Sequence, residues 1–231
     1  MRQAVMTKPG VIEFRDAPAP EPGPDEVLLR IKRIGICGSD MHVYHGVQPF
    51  TKYPVVQGHE YSAVVEAVGD RVRGIKPGDK ATARPQVVCG TCRPCRRGDY
   101  HICDTLRVQG FQAPGCAQDL FLTDVEHLVP LPDSFTFEQG AFVEPVAVAV
   151  RAASRAGELA GAGVVVLGAG PIGNLVAQVA KAAGARVLVT DLSDYRLAVA
   201  YQCGLDNTSN VRNEPLGEAA RRVFGDDGFD V

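Results

Sequence analysis

The sequence lacks tryptophan, is poor in aromatic residues at 6%, and has no long uninterrupted apolar run. No stretch approaches the roughly 18 consecutive apolar residues that indicate a membrane-spanning helix. Residues 1–9 contain no apolar core of a secretory signal. An excess of positive charge is also missing, since the formal net charge is −3. We therefore predict a cytoplasmic protein with neither a nucleic-acid partner nor a membrane partner.

The first half of the chain has the pattern of short strands separated by turns. Residues 27–34 and 61–69 are rich in β-branched and apolar side chains, and glycine and proline lie between such segments. Short strands with regular turn signals predict a barrel-like β domain.

The second half changes character near residue 150. The pattern there predicts strands and helices in alternation, at 164–167, 172–183, 186–190, 195–203 and 214–224. Such alternation is typical of an α/β fold with a parallel sheet. We place the domains at 1–153 and 154–231. Residues 228–231 resemble the start of another strand, and a complete dinucleotide-binding sheet needs two βαβ halves, so we expect the sheet to be incomplete in this chain.

A glycine loop of sequence GAGPIG occupies residues 168–173, between a predicted strand and a predicted helix. In such a loop Gly168 permits the turn, Gly170 lets a pyrophosphate approach and Gly173 allows close helix packing. Asp191 ends the next predicted strand, where a carboxylate can bind ribose hydroxyls and repel the 2′-phosphate of NADP. The alternative is a purely structural turn. The candidate cofactor-binding residues are Gly168, Gly170, Ile172, Gly173, Asp191 and Arg196.

Four of the seven cysteines have the spacing C-x2-C-x2-C-x7-C within a lobe at residues 86–105. They are Cys89, Cys92, Cys95 and Cys103. Four thiolates can close a tetrahedral shell around Zn²⁺, which predicts a structural zinc site, and an iron–sulfur cluster is the alternative. We interpret Cys116 and Cys203, which have no such pattern, as buried small hydrophobic residues.

A more scattered set of possible metal ligands consists of Cys37, His59, Glu60 and Glu144. Spacing alone is weak support, because a single Cys or His in a β domain is more often a packing residue. Chemically, however, a thiolate, an imidazole and a carboxylate with an open position form a catalytic zinc site.

Taken together, these motifs resemble the zinc-containing medium-chain dehydrogenases. The shared features are GICGSDMH at 35–42, GHE at 58–60, the four-cysteine lobe and the glycine loop, all in that family's order. The resemblance extends from about Ala4 to the end of the chain. It implies a GroES-like β-barrel catalytic domain followed by a Rossmann domain with a doubly wound parallel sheet.

The resemblance also implies the cofactors and the reaction. It implies one structural zinc ion, one catalytic zinc ion held by Cys37 and His59 with Glu60 or Glu144, and NAD as the hydride acceptor. Ser39 would take the proton of a secondary alcohol, and His42 would pass that proton to solvent. We also expect a homodimer or a homotetramer.

One position separates branches of this family. Glu144 followed by Pro145 resembles the polyol and sugar-acid branch typified by sorbitol dehydrogenase, and residues 45–50 resemble bacterial hexonate 5-dehydrogenases. We therefore expect a polyol or sugar acid, such as a hexonate oxidised at C5, as the substrate. Oxidation of an amino alcohol such as L-threonine is the alternative substrate class.

Two further alternatives differ in function class. A zinc-free quinone or enoyl reductase would lack the pair Cys37 and His59 and the four-cysteine lobe, all of which are present here. A non-catalytic NAD-binding protein on the same scaffold would have no need of Ser39 and His42.

Overall fold

The computed structural model describes all of residues 1–231, which form two compact units, Met1–Glu144 and Pro145–Val231. The strands are β1 (Arg2–Lys8), β2 (Val11–Asp16), β3 (Glu26–Gly35), β4 (Val55–Val56), β5 (Glu60–Val68), β6 (Lys80–Ala83), β7 (Gln86–Val87), β8 (Arg107–Val108), β9 (Leu120–Asp124), β10 (Leu128–Pro130), β11 (Gly163–Leu167), β12 (Arg186–Asp191) and β13 (Thr208–Asn210). The helices are α1 (Gly38–Tyr44), α2 (Arg93–Arg96), α3 (Phe137–Ala141), α4 (Val143–Ser154), α5 (Pro171–Ala182), α6 (Asp194–Gln202) and α7 (Leu216–Phe224). None of these helices has the length and hydropathy needed to cross a membrane.

The first unit is built from antiparallel strands. Its largest sheet has the order β10-β6-β5-β3-β9, and a smaller sheet has the order β2-β1-β4. Alternate side chains of β3 and β5 enter the core, because successive residues of a strand face opposite sides. Val27, Leu29, Tyr61, Ala63 and Val65 are the buried members of these two strands in the main apolar cluster.

The pairing of β3 with β5 brings together two segments that are far apart in sequence. Gly35, the last residue of β3, lies opposite Glu60, the first residue of β5. Cys37 follows shortly after β3, and His59 immediately precedes β5. Because the strands are antiparallel, both side chains start from the same end of the sheet.

The second unit contains a three-stranded parallel sheet in the order β11-β12-β13. Val187 and Val189 of β12 pack in a core with residues of α5 and α6. Leu188, which faces the other way, packs with Phe224 and two alanines of α7. A strand buried on both faces between helices is typical of α/β sheets.

The elements predicted for the second half agree with β11, α5, β12, α6 and α7 to within two residues at each end. Strand β13 was not predicted, because Thr208, Ser209 and Asn210 are all polar and show no apolar alternation. At the end of the chain, the Asp230 N–H donates to the carbonyl of Gly163 over 2.8 Å, so this segment lies beside β11.

The division between the units falls between Glu144 and Pro145, near the start of α4. The boundary that the sequence suggests, between residues 153 and 154, lies at the end of the same helix. A change in composition is visible only after α4, because α4 itself is rich in the alanine and valine that either unit could use.

The interpretation of Cys203 as a buried residue is wrong. Cys203 caps the C-terminal end of α6 and is exposed, together with its neighbours Tyr201 and Gly204. The helix turns these last residues towards solvent, and sequence pattern alone did not indicate that. Cys116, in contrast, is fully buried in the core of the first unit.

Candidate functional site

Three possible metal ligands converge at the end of the β3–β5 pair. One ligand atom each from Cys37, His59 and Glu60 lies within 4.8 Å of the others. Cys37 is the N-cap residue of α1, Glu60 is the first residue of β5, and His59 immediately precedes Glu60. The sequence-predicted residues are therefore brought together by the register of two strands and one helix start.

Asp40 lies next to two members of this group, Cys37 and His59. Its Oδ2 accepts a hydrogen bond of 2.9 Å from the Cys37 N–H. Its Oδ1 lies 3.8 Å from His59 Nδ1, which is too long for a hydrogen bond, and both atoms are buried without a partner. A carboxylate facing the second nitrogen of a ligand histidine is a common arrangement around zinc.

The donor set fits a catalytic zinc ion. A thiol, an imidazole and a carboxylate can supply three protein ligands, which is the number found at zinc sites that keep a fourth position for water or substrate. Burial raises the pKa of Cys37, although hydrogen bonds from Ser39 act in the opposite direction. A cation among these groups would supply the charge that a buried thiolate needs.

Glu144 lies near the group but outside it. It is not one of the three residues whose ligand atoms share the 4.8 Å distance. Burial raises the pKa of the Glu144 carboxyl group. The nearby His59 lowers this pKa, and the nearby Glu60 raises it. The structure therefore places Glu60 closer to the other donors than Glu144.

Ser39 and His42 lie on α1, three residues apart, so their side chains share one face of the helix. Ser39 is half-buried, and it lowers the pKa of Cys37 against the larger, opposite effect of burial. His42 is exposed. Ser39 thus lies beside the ligand group, and His42 lies where it can exchange protons with water.

The four cysteines of the lobe form a second cluster. The sulfur of Cys89 lies 4.0 Å from that of Cys95 and 3.6 Å from that of Cys103, and all four sulfurs, with Cys92, are within 4.8 Å of one another. Hairpin β7–β8 closes the base of the lobe. Gly90 and Gly98 adopt positive φ angles of 70° and 82° at its turns, which glycine tolerates without strain.

These sulfur distances fit a single zinc ion. A tetrahedron with Zn–S bonds of about 2.3 Å has edges of about 3.8 Å. Backbone N–H groups of Cys92 and Thr91 lower the pKa of Cys89 to about 5, whereas desolvation and neighbouring thiols raise that of Cys95 to about 12. A cluster of several iron ions would hold the sulfurs further apart, so one ion fits better than an iron–sulfur cluster.

The glycine loop joins β11 to α5. Gly168 has a φ of 103°, and Gly170 caps the helix with no atom within 4 Å of where a Cβ would stand. A Cβ on Gly173 would overlap the carbonyl oxygen of Gly168. Ile172 is 41% exposed in the first helical turn. The loop thus leaves open space at a helix N-terminus, which suits a phosphate.

Asp191 ends β12 directly beside this loop. Its two carboxylate oxygens accept hydrogen bonds of 2.8 Å from the N–H groups of Ala169 and Ser193. Burial alone would raise the pKa of Asp191, but these bonds and the nearby Arg196 hold it below its usual range. Arg196 is 57% exposed and its guanidinium lies 3.7 Å from the carboxylate. The charge beside the loop is therefore negative and only partly balanced.

Two residues near the first metal group were missed by sequence reasoning. A Cβ on Gly35 would overlap the Glu60 carboxylate, so this glycine makes room for the Glu60 side chain. The ring of Phe111 lies 5.3 Å from the ring of His59. The GICGSDMH motif includes Gly35 but does not indicate this role, and no motif includes Phe111, because both residues act through contacts across the fold.

Comparison with known families and proteins gives matches over most of the chain. Residues 23–133 match the alcohol dehydrogenase GroES-like domain, and residues 171–231 match the zinc-binding dehydrogenase family. These matches confirm the predicted fold class, in which a GroES-like domain precedes a Rossmann-type domain with a parallel sheet.

The individual proteins to which the chain is similar have names that indicate different substrates and cofactors. The chain is 36% identical over 237 residues to L-threonine 3-dehydrogenase of Legionella pneumophila strain Corby, covering 100% of this chain and 69% of the relative. Galactitol-1-phosphate dehydrogenase of Escherichia coli is 30% identical with a TM-score of 0.89, over 96% of this chain and 66% of that one. A protein from Sinorhizobium meliloti 1021 is described as a zinc-binding dehydrogenase and is bound to NADP. It is 32% identical with a TM-score of 0.90, over 98% of this chain and 66% of that one. The chain thus spans about two thirds of their lengths.

Proposed function

The chain belongs to the zinc-containing medium-chain alcohol dehydrogenase family, and from that membership we propose that it oxidises a secondary alcohol of a polyol or sugar acid with NAD. The observation that carries the proposal is the convergence of Cys37, His59 and Glu60 within 4.8 Å. A closed structural site would use four protein ligands, as the cysteine lobe does, whereas three ligands are typical of catalysis.

The chemistry divides between the cofactors and the chain. When bound, zinc supplies a Lewis acid that acidifies the substrate hydroxyl, and NAD supplies the hydride acceptor. Cys37 and His59 hold the metal, with Glu60 as the third ligand. Ser39 accepts the hydroxyl proton, and the exposed His42 delivers it to solvent. The lobe with Cys89 at its base holds the structural zinc.

The substrate class rests on Glu144 and Pro145, the pair that resembles the polyol and sugar-acid branch. The similarity to galactitol-1-phosphate dehydrogenase agrees with this choice. The second candidate is L-threonine, which the 36% identity to L-threonine 3-dehydrogenase favours.

A substrate panel tests this proposal. We expect the intact protein, purified without chelators, to reduce NAD with hexonates or polyols at a kcat/KM at least about tenfold above that with L-threonine. NADH absorbance is the readout. Higher activity with L-threonine would contradict the proposed substrate class but agree with the proposed enzyme class. Inactivity on all alcohols, with two zinc ions bound, would contradict both the substrate class and the enzyme class.

Whether Glu60 or Glu144 is the third ligand can be tested with one substitution beside Glu60 and one substitution at Glu144. Gly35 does not have a positive φ, so alanine is compatible with its backbone, but the new Cβ displaces the Glu60 carboxylate. We expect Gly35→Ala to weaken zinc binding at this site on the order of tenfold, and Glu144→Gln to weaken it less.

The measurement is the zinc content of each variant in buffers of stepped free Zn²⁺ concentration. Gly217→Ala is the matched control, because a Cβ at Gly217 meets no atom within 4 Å. The reverse order of effects would assign the ligand role to Glu144.

Cofactor preference depends on Asp191. Two like charges about 5 Å apart repel by about 3 kcal/mol at an effective dielectric of 20, and screening reduces this figure. We therefore expect kcat/KM to favour NAD over NADP on the order of a hundredfold. Asp191→Ala should reduce the ratio of kcat/KM with NAD to kcat/KM with NADP, mainly by weakening the binding of NAD.

The ratio is measured as kcat/KM for both cofactors at saturating substrate. Asp191→Asn serves as the companion variant, because it removes the charge but keeps an oxygen that can accept from Ala169. Equal values for NAD and NADP in the unaltered protein would show that Asp191 does not discriminate between them.

A further inference from the structure

Building on the proposed zinc site, we propose that the segment of residues 110–117 is a positioning element for His59, with Phe111 as its main contact. The segment carries none of the metal ligands and matches none of the sequence motifs. It nevertheless contacts the backbone before His59, the ring of His59 and the helix that begins at Cys37.

The backbone contacts come first. The N–H groups of Gly115, Cys116 and Ala117 donate to the carbonyls of Val56, Gly58 and Gln57, at 2.8, 3.0 and 2.9 Å. These three carbonyls belong to the residues immediately before His59. The short chain that leads into the histidine is therefore hydrogen-bonded along its length to the 110–117 segment.

Two glycines allow this close approach. A Cβ on Gly115 would overlap the carbonyl of Gly58, and a Cβ on Gly110 would lie 2.8 Å from the Gly58 nitrogen. The sulfur of Cys116 fills the space on the other side, because it lies 2.8 Å from where a Cβ on Gly58 would stand. The backbone of Gly58 is thus enclosed by the segment.

The side-chain contact is made by Phe111. Its ring centroid lies 5.3 Å from that of His59 at an interplanar angle of 41°, and both side chains are buried. The Nδ1 atom of His59 has no hydrogen-bond partner, since Asp40 Oδ1 is 3.8 Å away. Because this distance exceeds that of a hydrogen bond, packing contributes to the orientation of the imidazole beside the Asp40 carboxylate, and Phe111 supplies an aromatic surface for that packing.

Phe111 also connects the two halves of the metal group. It belongs to a small apolar cluster with Met6, Val43 and Val55. Val43 lies on α1, the helix that begins at Cys37. Phe111 therefore packs both against the imidazole and within the apolar cluster that includes the helix following Cys37.

The test compares two buried phenylalanines of the same unit. Phe111→Leu removes the ring beside His59, whereas Phe121→Leu removes a ring that contacts Tyr61 at 5.6 Å. The holoprotein of each variant is equilibrated in buffers of stepped free Zn²⁺ concentration, and bound zinc is counted by elemental analysis. Thermal unfolding of each variant reports the general loss of packing.

We expect Phe111→Leu to shift the loss of zinc from the group of Cys37, His59 and Glu60 to a free Zn²⁺ concentration on the order of tenfold higher. Phe121→Leu should lower the unfolding midpoint without that shift. Cys116→Ala, a smaller change, should also shift zinc loss to a higher free Zn²⁺ concentration. This variant replaces Phe111→Leu in the test if Phe111→Leu does not fold.

The outcomes separate this proposal from the proposed function. Equal zinc loss in Phe111→Leu and Phe121→Leu, with two zinc ions in the unaltered protein, would overturn the positioning role and leave the enzyme class intact. A single zinc ion in the unaltered protein would overturn both, because no second site would exist to be positioned.

Discussion

Cys37→Ala is expected to abolish turnover while the fold and the lobe zinc remain. The substitution removes one of three convergent donors at the end of β3 and β5, in a half-buried position that a smaller side chain can occupy. A Lewis acid supplies several kcal/mol of transition-state stabilisation, and each 1.36 kcal/mol is tenfold in rate. The loss in kcat/KM should therefore be on the order of a thousandfold or more.

The measurement pairs steady-state kinetics with zinc counting. The unaltered protein should hold two zinc ions, and Cys37→Ala should hold one, with an unchanged unfolding midpoint. Cys203→Ala is the comparison for loss of a thiol, because Cys203 is exposed and lies outside both metal groups. Retention of both zinc ions and of activity by Cys37→Ala would show that this group is not the catalytic metal site.

Cys92→Ala is expected to act on stability. Closed zinc sites contribute folding free energy directly, on the order of 10 kcal/mol in small zinc-binding peptides. The lobe has only a pair of two-residue strands, a four-residue helix and a three-residue 3-10 helix of its own, so little else holds it. We expect a lower unfolding midpoint, by on the order of 10 °C, and loss of the lobe zinc.

Circular dichroism during heating and elemental analysis measure these effects. Cys203→Ala is the matched control, because Cys203 is exposed at the end of α6 and lies outside both metal groups. An unchanged midpoint in Cys92→Ala, with zinc still bound, would contradict a structural role for the lobe.

Elements with a strong local signal could be predicted from the sequence. The glycine loop, β11 and α5 are marked by an apolar run followed by glycines, and the four cysteines of the lobe lie within fifteen residues. Local chemistry determines both features. The structure accordingly has Gly168 and Gly173 at the turn and packing positions that the motif indicates.

The remaining features depend on contacts that no local pattern records. Strand β13 is polar, so only its pairing with β12 identifies it. The role of Gly35 follows from its register opposite Glu60. The contact of Phe111 with His59 joins two loops that are separated in sequence by β5, β6, the whole lobe and β8.

The bonds of Asp191 have a consequence for protein engineering. The carboxylate that would discriminate between the two cofactors also accepts the Ala169 N–H inside the phosphate-binding turn. A designer who replaces it with a small or basic residue to admit a 2′-phosphate therefore also leaves a buried amide without an acceptor, which costs about 1–3 kcal/mol. Conversion of the cofactor preference should need at least a paired change, in which one residue binds the phosphate and another oxygen accepts from the turn.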